Sequence, residues 1–296
     1  MPFMSLIRKI FKKPLSQYHP LLYFAATRTR RAMRLWQWKT DGKNYATALS
    51  STPLAHRVKK HQSLLIRKLG DSDPRLQHNK ITNLQIASQQ ISGIIIHPQQ
   101  TFSFCQLVGL PTTKKGYLEG MELSFGEARS GIGGGICQIA NLIHWLVLHS
   151  PLEVVQRSQH SFDPFPDQGR VLPFGSGAAI FYNYIDYQFY NPTEHPFQLN
   201  IWFTEKCIEG ELRCSIDLGY VYHVFEQAHQ FLKIGSDYYR KNEIWRHQKE
   251  KYKSGEIINT ECMTRNFAKV LYTPSHVDVH FADMQGYQQS LLEQAQ

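Results

Sequence analysis

The stretch Gly131-Ile132-Gly133-Gly134-Gly135-Ile136-Cys137-Gln138, running on through Ile139 to Ser150-Pro151, decides the fold. Three consecutive glycines permit backbone angles that a Cβ forbids, and they let another group come close to the main chain. The residues after them read as a helix that ends at Ser150-Pro151. Ile139, Leu142, Ile143, Trp145, Leu146 and Val147 cover most of its circumference. A helix apolar on most sides is buried, so the pattern predicts a central helix led by a glycine-rich loop.

Working outward, Asn79 is a plausible N-cap for a helix through Ser92, with Ile81, Leu84, Ser88 and Ile91 on one face and Gly93 ending it. Ile94–Ile96 reads as a short buried strand stopped by Pro98, and residues 101–136 as loop-rich. On the other side, Glu153–Gln156, Ala178–Tyr182, Tyr187–Tyr190, Phe197–Phe203 and Glu211–Ile216 read as strands, the last two as a hairpin around Glu209-Gly210. One helix followed by a run of strands predicts an α+β fold, a buried helix on an antiparallel sheet. The domain plan is a basic N-terminal helical extension and connector (1–75), a core (76–216), and a polar, partly helical C-terminal extension (217–296). The connector is expected to hold a short helix near Leu64–Leu69, broken by Asp73-Pro74.

With 296 residues, 42% apolar and 19% charged, the chain can build a real core and is too sparsely charged to be disordered. The net charge of +9 is localised: residues 1–40 carry nine basic side chains and no acid, Asp41 being the first, and the remainder is balanced. A nucleic-acid-binding fold would spread its basic residues over a folded face, so no nucleic-acid partner is expected. Residues 21–38 can form a basic helix in which Leu22, Ala26, Thr29, Met33 and Trp36 make a stripe while Arg30, Arg31 and Arg34 lie largely off it. Such a helix fits either an anionic membrane surface or packing on the protein's own core with a solvated basic face.

Apolar runs near the N-terminus are cut by Arg8, Lys9, Lys12, Lys13 and Arg28, so neither a secretory signal nor a spanning helix is expected, and a cytoplasmic location follows. Five cysteines, an odd count without CxxC spacing, fit reduced thiols in that compartment. Cys207 and Cys214 could face each other across a hairpin. No zinc signature is present, His144 and His149 are wrongly spaced to share a face, and no metal or cofactor is expected.

The densest chemistry is at Gly133, Gly134, Gly135, Cys137 and Gln138. A cysteine in the first turn of a helix meets unpaired N–H groups and the positive end of the dipole, which favour a thiolate. The same N–H groups could hold an oxyanion near Gly135 and Gln138. His160 is the candidate base, with Asp186, Asn183 and Asp163 as candidates to orient it. The bland alternatives are a tight glycine turn, a cysteine acting as a small buried hydrophobe, and a surface histidine. Phosphate binding is disfavoured, because the run lacks the Gly-Lys-Ser/Thr of a P-loop.

Gly133–Gln138 resembles the signature of the VanW family. Further matches come in order: Pro98-Gln99-Gln100-Thr101-Phe102-Ser103-Phe104, Lys115-Gly116-Tyr117, His149–Val155 with His160, and Tyr184-Ile185-Asp186 with Asn191. The resemblance covers about residues 80–205. It implies a cell-wall and vancomycin-resistance context, and a cysteine nucleophile of the L,D-transpeptidase kind on Cys137, with His160 and Asp186 beside it. It further implies a peptide-type cell-wall precursor as substrate, with acyl transfer or amide hydrolysis as the reaction. Where the family often has Gly-x-Asp-Ala, this chain has Gly175-Ser176-Gly177-Ala178, so an acidic residue is missing at Gly177. The helix-start cysteine is similar to papain-like and transglutaminase-like cores at the level of fold analogy. The competing expectation is a non-catalytic accessory protein of resistance or wall metabolism at the inner membrane surface.

Overall fold

The computed structural model describes residues 19–66, 73–124, 127–159, 162–163, 166, 171–182, 184–252, 255–275 and 277–281. In chain order these form helix α1 (Pro20–Thr40), strands β1 (Asn44–Tyr45) and β2 (His56–Leu64), helix α2 (Pro74–Gln89), strands β3 (Ile94–Ile96) and β4 (Gln100–Ser103), and short helix α3 (Phe104–Val108). Strands β5 (Glu119–Ser124) and β6 (Glu127–Ile132) precede helix α4 (Cys137–Leu148). Then come β7 (Glu153–Gln156), β8 (Phe162–Asp163), β9 (Gln188–Tyr190), β10 (Phe197–Phe203), β11 (Cys207–Cys214), β12 (Tyr220–Ile234), β13 (Asp237–Glu250), β14 (Ile257–Val270) and β15 (Val279–Phe281).

The result is a mixed α+β fold in which strands dominate. Two four-stranded sheets, β1-β4-β9-β7 and β2-β11-β10-β3, and a five-stranded sheet, β15-β12-β13-β14-β8, surround α4, with β5-β6 as a separate hairpin. The buried helix is as its apolar content requires. Leu142 and Leu146 close on Gly210 of β11, where an added Cβ would lie 3.0 Å from Leu142 Cδ2. Trp145 and Leu148 pack with Val224 and Ile244 of the five-stranded sheet. His144 reaches Tyr187, just before β9. One helix of 12 residues therefore meets two of the sheets and the residue that leads into the third. Arg246 of β13 completes its C-terminal end, donating to the carbonyls of Leu148 (3.2 Å) and Ser150 (2.7 Å); a cation there also suits the negative end of the helix dipole.

Several expectations need correction. The core's first helix begins five residues earlier than Asn79. Asp73 caps it and Pro74 occupies its first turn, so the pair read as a helix breaker is a helix start. Asn79 lies inside that helix and its side chain donates to Glu119 O. The polar connector contains the nine-residue strand β2, which ends at Leu64; the rest of the expected 64–69 helix lies largely outside the described residues. Ala178–Tyr182 is irregular, with only a bridge from Phe181 to Ile185. The turn between β10 and β11 falls at 204–206, with Gly210 mid-strand opposite Ile201. Cys207 and Cys214 are thus the two ends of one strand, and both are free.

The largest departure is after residue 217. No helix forms there among the described residues; β12, β13 and β14 are antiparallel strands of 15, 14 and 14 residues. A two-residue turn led by Gly235, at φ +62, joins the first two. The strand period was disguised because many inward positions are polar. Arg240, Asn242, Ile244 and Arg246 alternate inward along β13, all buried. Arg240 pairs with Asp163 at 2.9 Å and lies between the rings of Phe174 and Phe231. Asn242 and Asn266 bond each other at 2.8 Å. Among the described residues no helix is long and apolar enough to cross a membrane.

The two histidines of the α4 region couple this packing to pH. His149 is buried and its Nδ1 meets Trp145 O at 2.8 Å; burial pushes its pKa down to about 3, and burial holds His144 well below its ordinary value. Above pH ~6.5 neither histidine is protonated in either state, so stability is unaffected. Below that, the unfolded chain takes up protons the folded one refuses, and stability falls by up to ~1.4 kcal/mol per pH unit for each histidine. For His149 the loss continues down to about pH 3. Urea unfolding at pH 7 and pH 5 should show this loss, and His149→Gln should flatten it; an equal slope in the variant would remove His149 from the account.

Candidate functional site at the start of helix α4

The glycine run is held from three directions. Gly133 and Gly135 adopt φ +81 and +93, values that favour glycine. Gly134 lies against the backbone of Gly120 in β5, where a Cβ on Gly134 would come within 2.1 Å of Gly120 O. A Cβ on Gly135 would meet Lys80 Cγ at 2.2 Å. Asn83 of α2, fully buried, ties the loop down: its amide nitrogen donates to Leu118 O (3.0 Å) and Gly134 O (2.9 Å), and its carbonyl accepts from Leu118 N–H (2.8 Å). Gln138 extends the tie to β2, donating to Ser63 Oγ and Leu64 O at 2.9 and 2.8 Å. The loop's role as a close-packed turn is therefore built. Gln138's side-chain donors are engaged with β2, so they are not aimed at an oxyanion.

Cys137 is the first residue of α4, as expected. Its Sγ donates to the carbonyl of Ile180 at 3.5 Å, and burial pushes the thiol pKa up, against the expected thiolate. His160 lies outside the described residues, as does Asn183. Asp186, expected to orient the histidine, is a fully buried carboxylate with four hydrogen-bond donors around it. Oδ1 takes the N–H groups of Cys105 (2.9 Å) and Tyr187 (2.8 Å), and Oδ2 takes Ser103 Oγ–H (2.7 Å) and Gln188 Nε2–H (2.8 Å). These bonds fasten α3 to the start of β9. Asp163, the other candidate, is paired with Arg240.

What sequence reasoning missed is a polar row on the buried helix. Cys137, Asn141 and His144 recur at helical spacing and face one side. Asn141 Oδ1 accepts from Ala178 N–H at 2.7 Å, and it is this oxygen that a Cβ at Gly177 would approach to 2.7 Å. Arg157 Nη1 donates to His144 Nε2 at 3.1 Å, which puts the ring proton on Nδ1, 3.1 Å from Tyr187 Oη. His144 is thus a neutral linker. Arg157 continues the row to Gln159 (3.1 Å) and Asn266 (3.5 Å). The signal was legible as polar residues at i, i+4 and i+7 in an apolar helix. Among the described residues, no cluster of three or more His, Cys, Asp or Glu is placed to hold a metal ion.

A glycine-knotted turn feeding a cysteine into a buried helix, within a strand-rich α+β core, defines the class. Residues 79–213 match the family model described as VanW like protein. The chain is 28% identical over 273 residues to the vancomycin B-type resistance protein VanW of Enterococcus faecalis, covering 92% of this chain and 99% of that one. It is 29% identical over 154 residues to the uncharacterized protein YoaR of Bacillus subtilis, covering 52% of this chain and 48% of that one. No solved structure matches.

Two measurements test this geometry. Gly134→Ala should lower stability by at least ~2 kcal/mol in urea unfolding, since the new methyl meets backbone that cannot yield; an unchanged midpoint would show that the loop is not packed on Gly120. Iodoacetamide should modify Cys137 more slowly at pH 7 than it modifies a free cysteine, with the rate climbing only at alkaline pH. Rapid modification at neutral pH would overturn the desolvated thiol.

Proposed function

We propose that this protein serves in vancomycin-type antibiotic resistance, as the name of its Enterococcus faecalis relative, a vancomycin B-type resistance protein, states of that protein, and that it acts by acyl transfer through Cys137 on cell-wall-type peptides. The observation carrying the reading is the position of the sulfur: first residue of α4, fixed there by the close-packed glycine turn that precedes it. His160 would take the thiol proton. The thiolate would attack a peptide carbonyl, the C–N bond would break, and the imidazolium would return the proton to the leaving amine. Water or a second amine would then attack the thioester and release the acyl group. Asp186 has no part in this scheme, because its bonds hold the fold.

A second reading has its own support. The Cys137 thiol is desolvated and bonded to the Ile180 carbonyl, which suits a packing cysteine in a non-catalytic accessory protein. In the catalytic reading the Ile180 contact is the resting state, and substrate binding has to displace it. The deciding experiment is resistance in a host lacking its own copy, complemented with wild type, Cys137→Ala, Cys137→Ser or Cys105→Ala, with folded protein confirmed for each. Acyl transfer predicts loss in both Cys137 variants and retention in Cys105→Ala; full resistance from Cys137→Ala would establish the accessory reading. A mass-spectrometric search for a thioester adduct on Cys137 after incubation with a wall peptide checks the chemistry directly.

A further inference from the structure

Helix α1 turns much of its apolar surface outward. Its half-buried side carries Arg31 and Arg34 together with Tyr23, Ala26 and Trp38. Arg34 Nη1 donates to Gln156 Oε1 at 2.9 Å, the Arg31 guanidinium lies over the Tyr182 ring at 5.6 Å, and Arg30 lies over Tyr184 at 4.4 Å. The outer side carries most of the apolar stripe. Leu22, Met33 and Trp36 are 46%, 62% and 69% exposed, and Leu21, Phe24 and Leu35 are exposed beside them. The solvated face therefore carries apolar side chains as well as Arg28, Arg30 and Lys39. An exposed apolar arc of this kind marks a surface for something else to cover.

Charge says what covers it. The helix holds Arg28, Arg30, Arg31, Arg34 and Lys39 and no acidic residue, and Arg28 and Lys39 lie on the exposed arc. Acidic residues are absent from the whole of residues 1–40. A self-complementary or protein-docking face would bring these cations together or require an acidic partner; an anionic bilayer offers apolar depth and negative headgroups at once. With 21 residues of low hydropathy, α1 suits lying in the interface and does not qualify as a span. We propose that α1 docks this protein on an anionic lipid surface, with Leu22, Met33 and Trp36 entering the headgroup–acyl boundary and Arg28 and Lys39 meeting lipid phosphates. The arginines on the inner side hold the helix to the core while it does so. The proposal uses no residue of the Cys137 site and goes beyond the catalytic reading.

The test is co-sedimentation of the full chain with vesicles of phosphatidylcholine alone, or of phosphatidylcholine with about one-third phosphatidylglycerol. Binding to the anionic vesicles, lost in high salt, is expected, with little binding to the neutral ones. The double variant Met33→Glu with Trp36→Glu should weaken partitioning at least ~10-fold, and Arg28→Gln and Lys39→Gln about fivefold each. All four positions are exposed, and circular dichroism checks the fold. Equal binding to both vesicle types, no binding to either, or full binding by the double variant would each overturn the proposal. Concentration-dependent self-association abolished by the double variant, without vesicle binding, would assign the face to a second copy of the chain. Cys137→Ala should bind vesicles as wild type does, which separates failure here from failure of the acyl-transfer reading.

Discussion

The contact on which this structure depends is between two stretches of main chain with no side chains between them. Gly120 and Gly134 approach so closely that a Cβ on either would lie within about 2.3 Å of the other's carbonyl oxygen. That approach brings the β5-β6 hairpin, helix α2 and the start of α4 to one point, and Asn83 locks it with three hydrogen bonds. The first residue of α4 is fixed as a consequence, and so is the sulfur of Cys137. Glycine here is a packing requirement before it is a catalytic one.

Helix α4 carries the consequence inward. Its apolar sides are taken by the β2-containing sheet and by the long C-terminal sheet, and the side left over bears Cys137, Asn141 and His144. A buried polar row is tolerable only if each group is bonded, because an unmade bond in the interior costs ~1–3 kcal/mol. Here Ile180, Ala178, Tyr187 and Arg157 supply the bonds. The row therefore binds the irregular segment around 176–187 to the helix, and Arg157 passes the connection to Asn266 in β14. Core and C-terminal sheet are joined through polar contacts as well as through Trp145 and Val224.

How far the sequence could be read follows from the same physics. Helix α4, β3 and β10 were legible because their buried positions are mostly apolar, so period and burial agree. The glycine run announced its own strain, and Cys137 its place at the helix start. Strands β12 to β14 were not legible: Arg240, Asn242, Arg246 and Asn266 occupy inward positions, and a polar inward face reads as a polar segment. Asp73-Pro74 was misread because the pair can end one element or begin the next, and only the packing of α2 decides between them. The bonds of Asp186 are something sequence cannot supply. A carboxylate that orients a histidine and one that fastens four donors look identical until its partners are seen.

Two effects compete at the Cys137 sulfur, and their magnitudes rank them. A charge at a helix terminus gains ~0.3–1 kcal/mol from the dipole in an exposed setting and up to ~2 kcal/mol when partly buried. Full burial of an ionisable group moves its pKa by up to ~3–5 units, and each unit is ~1.4 kcal/mol. Cys137 is only partly buried by exposed area, yet its surroundings hold the thiol pKa above its ordinary value, with desolvation the largest cause. Rehydration or a neighbouring cation would reverse the order, because the dipole would remain while the larger opposing contribution fell. A sulfur so placed is harder to ionise than a solvated one. Acyl transfer through it would have to offset that desolvation when substrate binds.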